Sequence, residues 1–356
     1  MPEMLECIRE KFPAFFPAQT PPTINLALQG GGAHGAFTWG VLDALLEDGR
    51  LSFEGVSGTS AGAMNAIVLA HGLMQGGRDG AREALQKFWH AVAMDWKQLQ
   101  LPFKTTLQLP EEGIGSSLKV MLEWTKYFSP EQLNPWNVDP LRDILTKQID
   151  FGRLRHHSPV KLFIAATNAN TGKLRLFTNK ELNIKALLAS ACLPSIHRTI
   201  EINGIPYWDG GYSANPAVFP LFSRCKARDI LLVLLSPLLY EKTPVSVDEI
   251  RARVLDISFN SAFLSEMALF ARAREDIGRF SPLLKGAFER KLERTHFHLI
   301  QAEDLMSTLA SETRLKTDLK FLEMLKEQGR LQMQAWLSSN FSSIGKRSSV
   351  ELSQLF

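Results

Sequence analysis

Residues 23–62 read TINLALQGGGAHGAFTWGVLDALLEDGRLSFEGVSGTSAG. The stretch 23–29 is apolar and β-prone and runs into three glycines, which predicts a buried strand. From Gly35 to Asp48, the residues Phe37, Val41, Leu42, Leu45 and Leu46 recur at helical spacing, and Gly49 supplies a stop. A second strand is predicted over 53–60 (FEGVSGTS), followed by a helix of small and apolar residues over 61–74. Two strand–glycine turn–helix units in succession predict an α/β fold with a mostly parallel central sheet.

Outward from that core the pattern is less even. Residues 75–160 hold Trp89, Trp96, Trp124 and Trp136, with Tyr127 and Phe128, among prolines and glycines. They read as a helical and loop insertion or cap, or as ordinary helices packed on the sheet. A hairpin is expected over 160–178 and a second over 198–211, the latter turning at Asn203–Gly204. Between them 185–194 reads as a helix that stops before Pro194. Residues 229–237 read as a buried strand, and 297–302 as a late one in an otherwise helical stretch from Ser246 onward. The expected domains are a lead-in over 1–22, a catalytic domain over 23–240 that contains the 75–160 insertion, and a mainly helical region over 241–356.

The composition fits a folded globular protein. Hydrophobic residues make up 45% of the 356 positions and charged residues 22%, which excludes a largely disordered chain. The net charge of +3 gives no reason to expect nucleic acid as a partner. Three cysteines (Cys7, Cys192, Cys225) without a CxxC pair predict neither a disulfide framework nor a zinc site. No metal and no cofactor are expected. The first 22 residues carry acids and prolines where a secretory signal needs an apolar run, so a cytoplasmic protein, peripheral to membranes if it meets them, is expected.

Three motifs carry chemistry. Gly58-Thr59-Ser60-Ala61-Gly62 is a G-x-S-x-G sequence where a predicted strand meets a predicted helix. A nucleophilic serine needs such a tight turn, and the helix dipole favours negative charge beside it. The bland alternative is a serine that only caps the helix. Gly30, Gly31 and Gly32, with Gly35, match the spacing of a dinucleotide loop, but the next strand ends in Ser60 rather than in an acidic ribose ligand. Their N–H groups can instead converge on an oxyanion. Asp209, followed by Gly210 and Gly211 at the end of the strand IPYW, is a candidate base or a plain turn. Of the eight histidines, His296 and His298 fit the chain order of a Ser–Asp–His triad, yet they sit in a strand-like run.

GGGAHGAF, GTSAGAMNA, ASACLP and DGGYSANP, in that order, resemble the patatin-like phospholipases. The resemblance spans about residues 23–240 and implies a three-layer α/β/α domain and a lipid acyl hydrolase with a Ser–Asp dyad. It implies Ser60 as nucleophile, Asp209 as base, and Gly30, Gly31 and Gly32 as the oxyanion loop, with Gly35, Gly58, Gly62, Gly210 and Gly211 supporting the motifs. An esterase or depolymerase for another acyl ester would use the same residues, and a nucleotide-binding regulator would use only the glycine loop. The family commonly has arginine where His34 stands. Contact with a lipid interface is expected through the aromatic stretch 89–136 or the basic segment 272–294.

Overall fold

The computed structural model describes residues 21–107, 129–133, 138–240, 242–279, 285–302, 305–306, 309 and 311–356. The lead-in over 1–20, Trp124, Tyr127, Phe128 and Trp136, and the side chain of Trp96 lie outside the described residues.

Among the described residues, one eight-stranded sheet, flanked by helices on both faces, organises the fold. β1 (Thr23–Leu28) pairs in parallel with β2 (Ser52–Thr59) on one side and β7 (Asp229–Val233) on the other. β2 continues to β3 (Lys161–Asn168) and β7 to β8 (His296–Ile300), again in parallel. The predicted hairpins are present as β3–β4 (Leu174–Thr178) and β5–β6 (Ile200–Ile202 and Ile205–Asp209). Asn203 and Gly204, both at positive φ, make the second turn. The strands of the parallel core are buried almost throughout because helices cover both faces.

The helices follow from the same patterns. α1 (Gly35–Asp48) ends on Gly49 at φ 76°, a left-handed cap that glycine adopts without strain. α2 (Ala61–Leu107) consists of two helical stretches joined at Gly76 and Gly77, where the backbone leaves helical geometry, so the first stretch ends close to the expected residue 74. Beyond the break, Leu85, Phe88 and Trp89 join the main core, as do Ile144 and Leu145 of α3 (Pro140–Gln148). The described part of 75–160 is thus helix packed on the sheet, and Trp89 is a core residue with its indole N–H donated to Asn65. α4 (Phe151–His157), α5 (Ile184–Ser190) and α6 (Phe219–Arg224) complete the middle of the chain.

The last third is woven into the same body. β8 extends the sheet beyond β7. α7 (Val247–Gly278) packs Phe263, Met267 and Phe270 onto one face of the sheet. The short α8 (Ala287–Glu293) precedes β8, and α9 (Leu319–Asn340) crosses α1 on the other face.

Candidate active site

The C-terminal ends of the parallel strands place the motif residues. β2 and β6 pair with the same edge of β3: Thr59 lies opposite Ala165, and Asp209 lies opposite the next residue, Ala166. The two strands therefore run toward each other and stop face to face. Ser60 turns out of that junction at φ 52°, a left-handed conformation that a serine adopts only when its surroundings hold it there. Four hydrogen bonds do so. The Ser60 N–H donates to Ser190 Oγ at 3.0 Å, its carbonyl accepts from the Ala63 and Met64 N–H groups, and the Thr59 hydroxyl donates to the Ala214 carbonyl at 2.7 Å.

Close backbone approach explains the glycines. A Cβ on Gly62 would sit 2.1 Å from the Leu28 carbonyl oxygen, and one on Gly30 would sit 2.8 Å from Ser60 Cβ. Gly58, Gly35 and Gly210 are equally tight, against Gly62, Ala61 and Ala165 respectively. Strand ends, elbow and glycine loop are thereby pressed into one cluster.

Asp209 is 1% exposed. Its N–H donates to the Cys192 carbonyl and its own carbonyl accepts from the Thr167 hydroxyl, both at 2.8 Å, so the backbone is pinned. Oδ1 accepts the Gly211 N–H at 2.7 Å, while Oδ2 is buried and meets no hydrogen-bond partner at bonding geometry. Burial pushes the carboxyl up to about 7, against the lowering effects of the Gly211 N–H and of the Ser60 hydroxyl. An acid with a pKa near neutrality and one idle oxygen, close enough to Ser60 to be affected by its hydroxyl, can exchange a proton with that hydroxyl. Beside it, burial raises the Cys192 thiol to about 12, so it stays neutral.

The glycine loop brings in residues that the sequence did not single out. Asn215 is buried and accepts the Gly30 N–H on Oδ1 at 2.7 Å. Of the three loop amides, Gly30 is thus already engaged. The preceding residue, Gln29, donates its amide to Asn260 Oδ1 at 2.8 Å and to the Asn215 carbonyl at 3.3 Å, and accepts the Ser236 N–H at 2.9 Å. His34 is buried, with Nε2 2.7 Å from the Thr313 hydroxyl. Burial first, then the charge of Arg314, lowers its pKa to about 3, so the ring is neutral and offers no cationic anion site. A cation reaches the neighbourhood from elsewhere. The Arg314 backbone covers Gly32, where a Cβ would meet its carbonyl oxygen at 2.3 Å, and its guanidinium pairs with the buried Asp256 of α7.

The two histidines in the chain order of a triad are not part of this cluster. His296 and His298 both contact Asp229 Oδ1, at 3.3 and 3.0 Å, at the start of β7 and so at the other end of the sheet. A cleft of about 380 Å³ also lies at that end, lined by Phe222, Lys226, Arg228, Arg290, Lys291 and Arg294. It holds none of the motif residues. Among the described residues no group of three His, Cys, Asp or Glu side chains is placed to hold a metal.

The model of the patatin-like phospholipases matches residues 26–222, more than half of the chain. No curated protein sequence matches it. Among solved structures, the crystal structure of VipD from Legionella pneumophila aligns with 89% of this chain and 67% of its own, at 17% identity and a TM-score of 0.39. A likeness at that level bears on neither site nor activity.

Proposed function

The chain belongs to the patatin-like phospholipase family, and on that premise we propose that it is a serine lipid acyl hydrolase of phospholipase A or lysophospholipase type, with Ser60 as nucleophile and Asp209 as its base. The observation that carries the reading is the meeting of two strand ends on one edge of β3, with Ser60 held in a left-handed turn beside a carboxyl raised to about 7.

A free aspartate, with a pKa near ~3.9, is a poor base for a hydroxyl. The burial of Asp209 removes that difficulty. Ser60 Oγ attacks the acyl carbonyl carbon as its proton passes to Asp209 Oδ2. The new oxyanion is stabilised by the N–H groups of Gly31 and Gly32 and by the N-terminal end of α2, with Gly30 fixed by Asn215 as their support. Collapse breaks the bond to the alcohol oxygen, which leaves with the proton from Asp209. Water then gives a proton to Asp209 and attacks the acyl-enzyme, releasing the carboxylic acid and regenerating Ser60. No step calls for a metal or a cofactor.

The test is hydrolysis of a phosphatidylcholine with two distinguishable acyl chains, of its lyso derivative and of a short-chain p-nitrophenyl ester, by wild type and Ser60→Ala. Wild type should release fatty acid from at least one lipid and Ser60→Ala from none, with the same far-UV spectrum. Turnover by Ser60→Ala equal to wild type would remove Ser60 as the nucleophile. Turnover of the ester with neither lipid cleaved would move the substrate class to other acyl esters.

A further inference from the structure

Among the described residues, helix α7 has a face that nothing packs against. Over residues 254–271 (VLDISFNSAFLSEMALFA) the ionisable side chains are Asp256 and Glu266. Both are used inside the protein: Asp256 pairs with Arg314 and accepts the Tyr240 hydroxyl, and Glu266 accepts the N–H groups of Val218 and Phe219. The opposite face exposes Ile250, Val254, Ile257, Leu264 and Leu269, by 45%, 58%, 51%, 37% and 70%. The spacing 250, 254, 257, 264 is that of one stripe along a helix. Among the described residues α7 alone is long and apolar enough to cross a membrane, yet only 33% of its most apolar 18-residue window is buried. Eighteen helical residues extend about 27 Å; over that length the outer face is uncharged, its large apolar side chains interspersed with exposed Ser261 and Ser265, and extended exposed apolar surface marks an interaction site.

Spanning a bilayer would strip α7 from the sheet, because its inner face packs Phe263, Met267 and Phe270 into the core. Lying flat on one would disturb nothing. We propose that the outer face of α7 docks the enzyme on a lipid surface, the helix lying parallel to the interface with the Val254–Ile257–Leu264 stripe immersed below the headgroups.

Two features select lipid over a protein partner. The composition of the face is Val, Ile, Leu, Ser and Ala, whereas protein interfaces are enriched in aromatic residues, Met and Arg and depleted in Ser and Ala. The same helix also walls the catalytic cluster. Phe259 packs on the Tyr212 ring at 4.7 Å and against Gly211, two residues past Asp209, and Asn260 holds Gln29 at the glycine loop. Docking on α7 therefore brings the strand ends to the interface where acyl chains are found. Exposed Arg251 and Arg272 flank the stripe, but Asp248, Glu249, Glu275 and Asp276 accompany them, so binding is driven by apolar contact and not by net charge.

The inference rests on the lipid acyl hydrolase reading, and its test is separable from that reading. Cosedimentation with large phosphatidylcholine vesicles is measured in a Ser60→Ala background, in which lipid is not consumed, at low and at high salt. The parent should bind at both, and Val254→Gln/Ile257→Gln/Leu264→Gln should bind about tenfold more weakly or less. Leu269→Gln, at the most exposed of these positions, gives a milder loss and stands in should the triple variant melt early. With Ser60 restored, the triple variant should keep its turnover of a soluble short-chain ester and lose that of vesicle lipid. Vesicle binding unchanged in both variants would overturn the proposal. So would a parent that ignores vesicles but sediments as a dimer, with the triple variant a monomer. Failure of the hydrolase reading would appear differently, as vesicle binding by a protein that cleaves no ester.

Discussion

At the scale of single residues, the proposed role of Asp209 as base would set catalysis against stability. Its carboxyl ionises near 7 in the folded protein against an ordinary value of 3.8. Below pH ~4 both folded and unfolded forms hold the proton and nothing is lost. As the pH rises through that range the unfolded chain ionises first, so the native state binds the extra proton and stability falls until about pH 7, then stays level. The cost at neutral pH is on the order of 3–4 kcal/mol at most. Asp209→Asn should therefore abolish turnover and raise the melting temperature, more at pH 8 than at pH 4.5. A melting gain of equal size at both values would show that the carboxyl is not strained. In wild type, kcat/KM for a soluble ester should rise with an acidic limb near 7, and a limb near 4 would place the base elsewhere. His296→Ala and His298→Ala should leave that profile unchanged, since both contact Asp229 at the far end of the sheet. Asn215→Ala should lower kcat by about tenfold or more, with KM little changed, because it frees the loop that positions the oxyanion donors. Ser60 and Asp209 were legible as candidates because each sits in a local glycine pattern, GTSAG and DGG. Asn215, Ser190 and Gln29 were not, because they act on partners 130 to 231 positions away, which no local pattern records.

Among elements, the crossing of α1 and α9 is the tightest contact. A Cβ on Gly40 would lie 1.9 Å from the Lys326 carbonyl oxygen, and one on Gly329 would lie 2.0 Å from that of Phe37. Arg330 then pairs with Asp43 and Glu47 across the same crossing. Gly329→Ala should force the helices apart and destabilise the protein by about 1–3 kcal/mol, read as a lower melting temperature. An unchanged melting temperature would mean that the crossing is looser than the backbone distances state. This contact could not be read beforehand, since a glycine inside a helix signals only weak propensity until its neighbour is known. β1, β2, β8 and α1 were legible to within a residue or two, the first two strands and α1 because their runs end at glycine, whereas β7 ends at Val233, four residues before the expected 237. The first helical stretch of α2 was legible too, since it ends at Gly76–Gly77, close to its expected end at residue 74.

For the whole molecule, the sequence motifs fall within the first two thirds, while the structure draws on the entire chain. β8 and α9 close the sheet and cover α1, and Arg314 and Asn260 reach the glycine loop from the last third. Truncation after residue 240 should therefore give insoluble protein, whereas a soluble, ester-cleaving fragment would show that 23–240 folds alone. In the basic segment 272–294, Arg272, Arg279, Arg290 and Arg294 are exposed, and Arg290, Lys291 and Arg294 line the cleft with Lys226 and Arg228, while some of its cations are also engaged within the fold. Lys285 is buried against Glu293, Arg290 donates to the Lys285 carbonyl, and Lys291 donates to the Cys225 carbonyl. The central claim is that one serine, activated by one carboxylate, does the chemistry. It is tested most directly by reacting the protein with a fluorophosphonate and mapping the adduct by peptide mass. A single adduct on Ser60, formed in wild type and greatly slowed in Asp209→Asn, is the expected result. Labelling elsewhere, or on Ser60 at the same rate in Asp209→Asn, would contradict it.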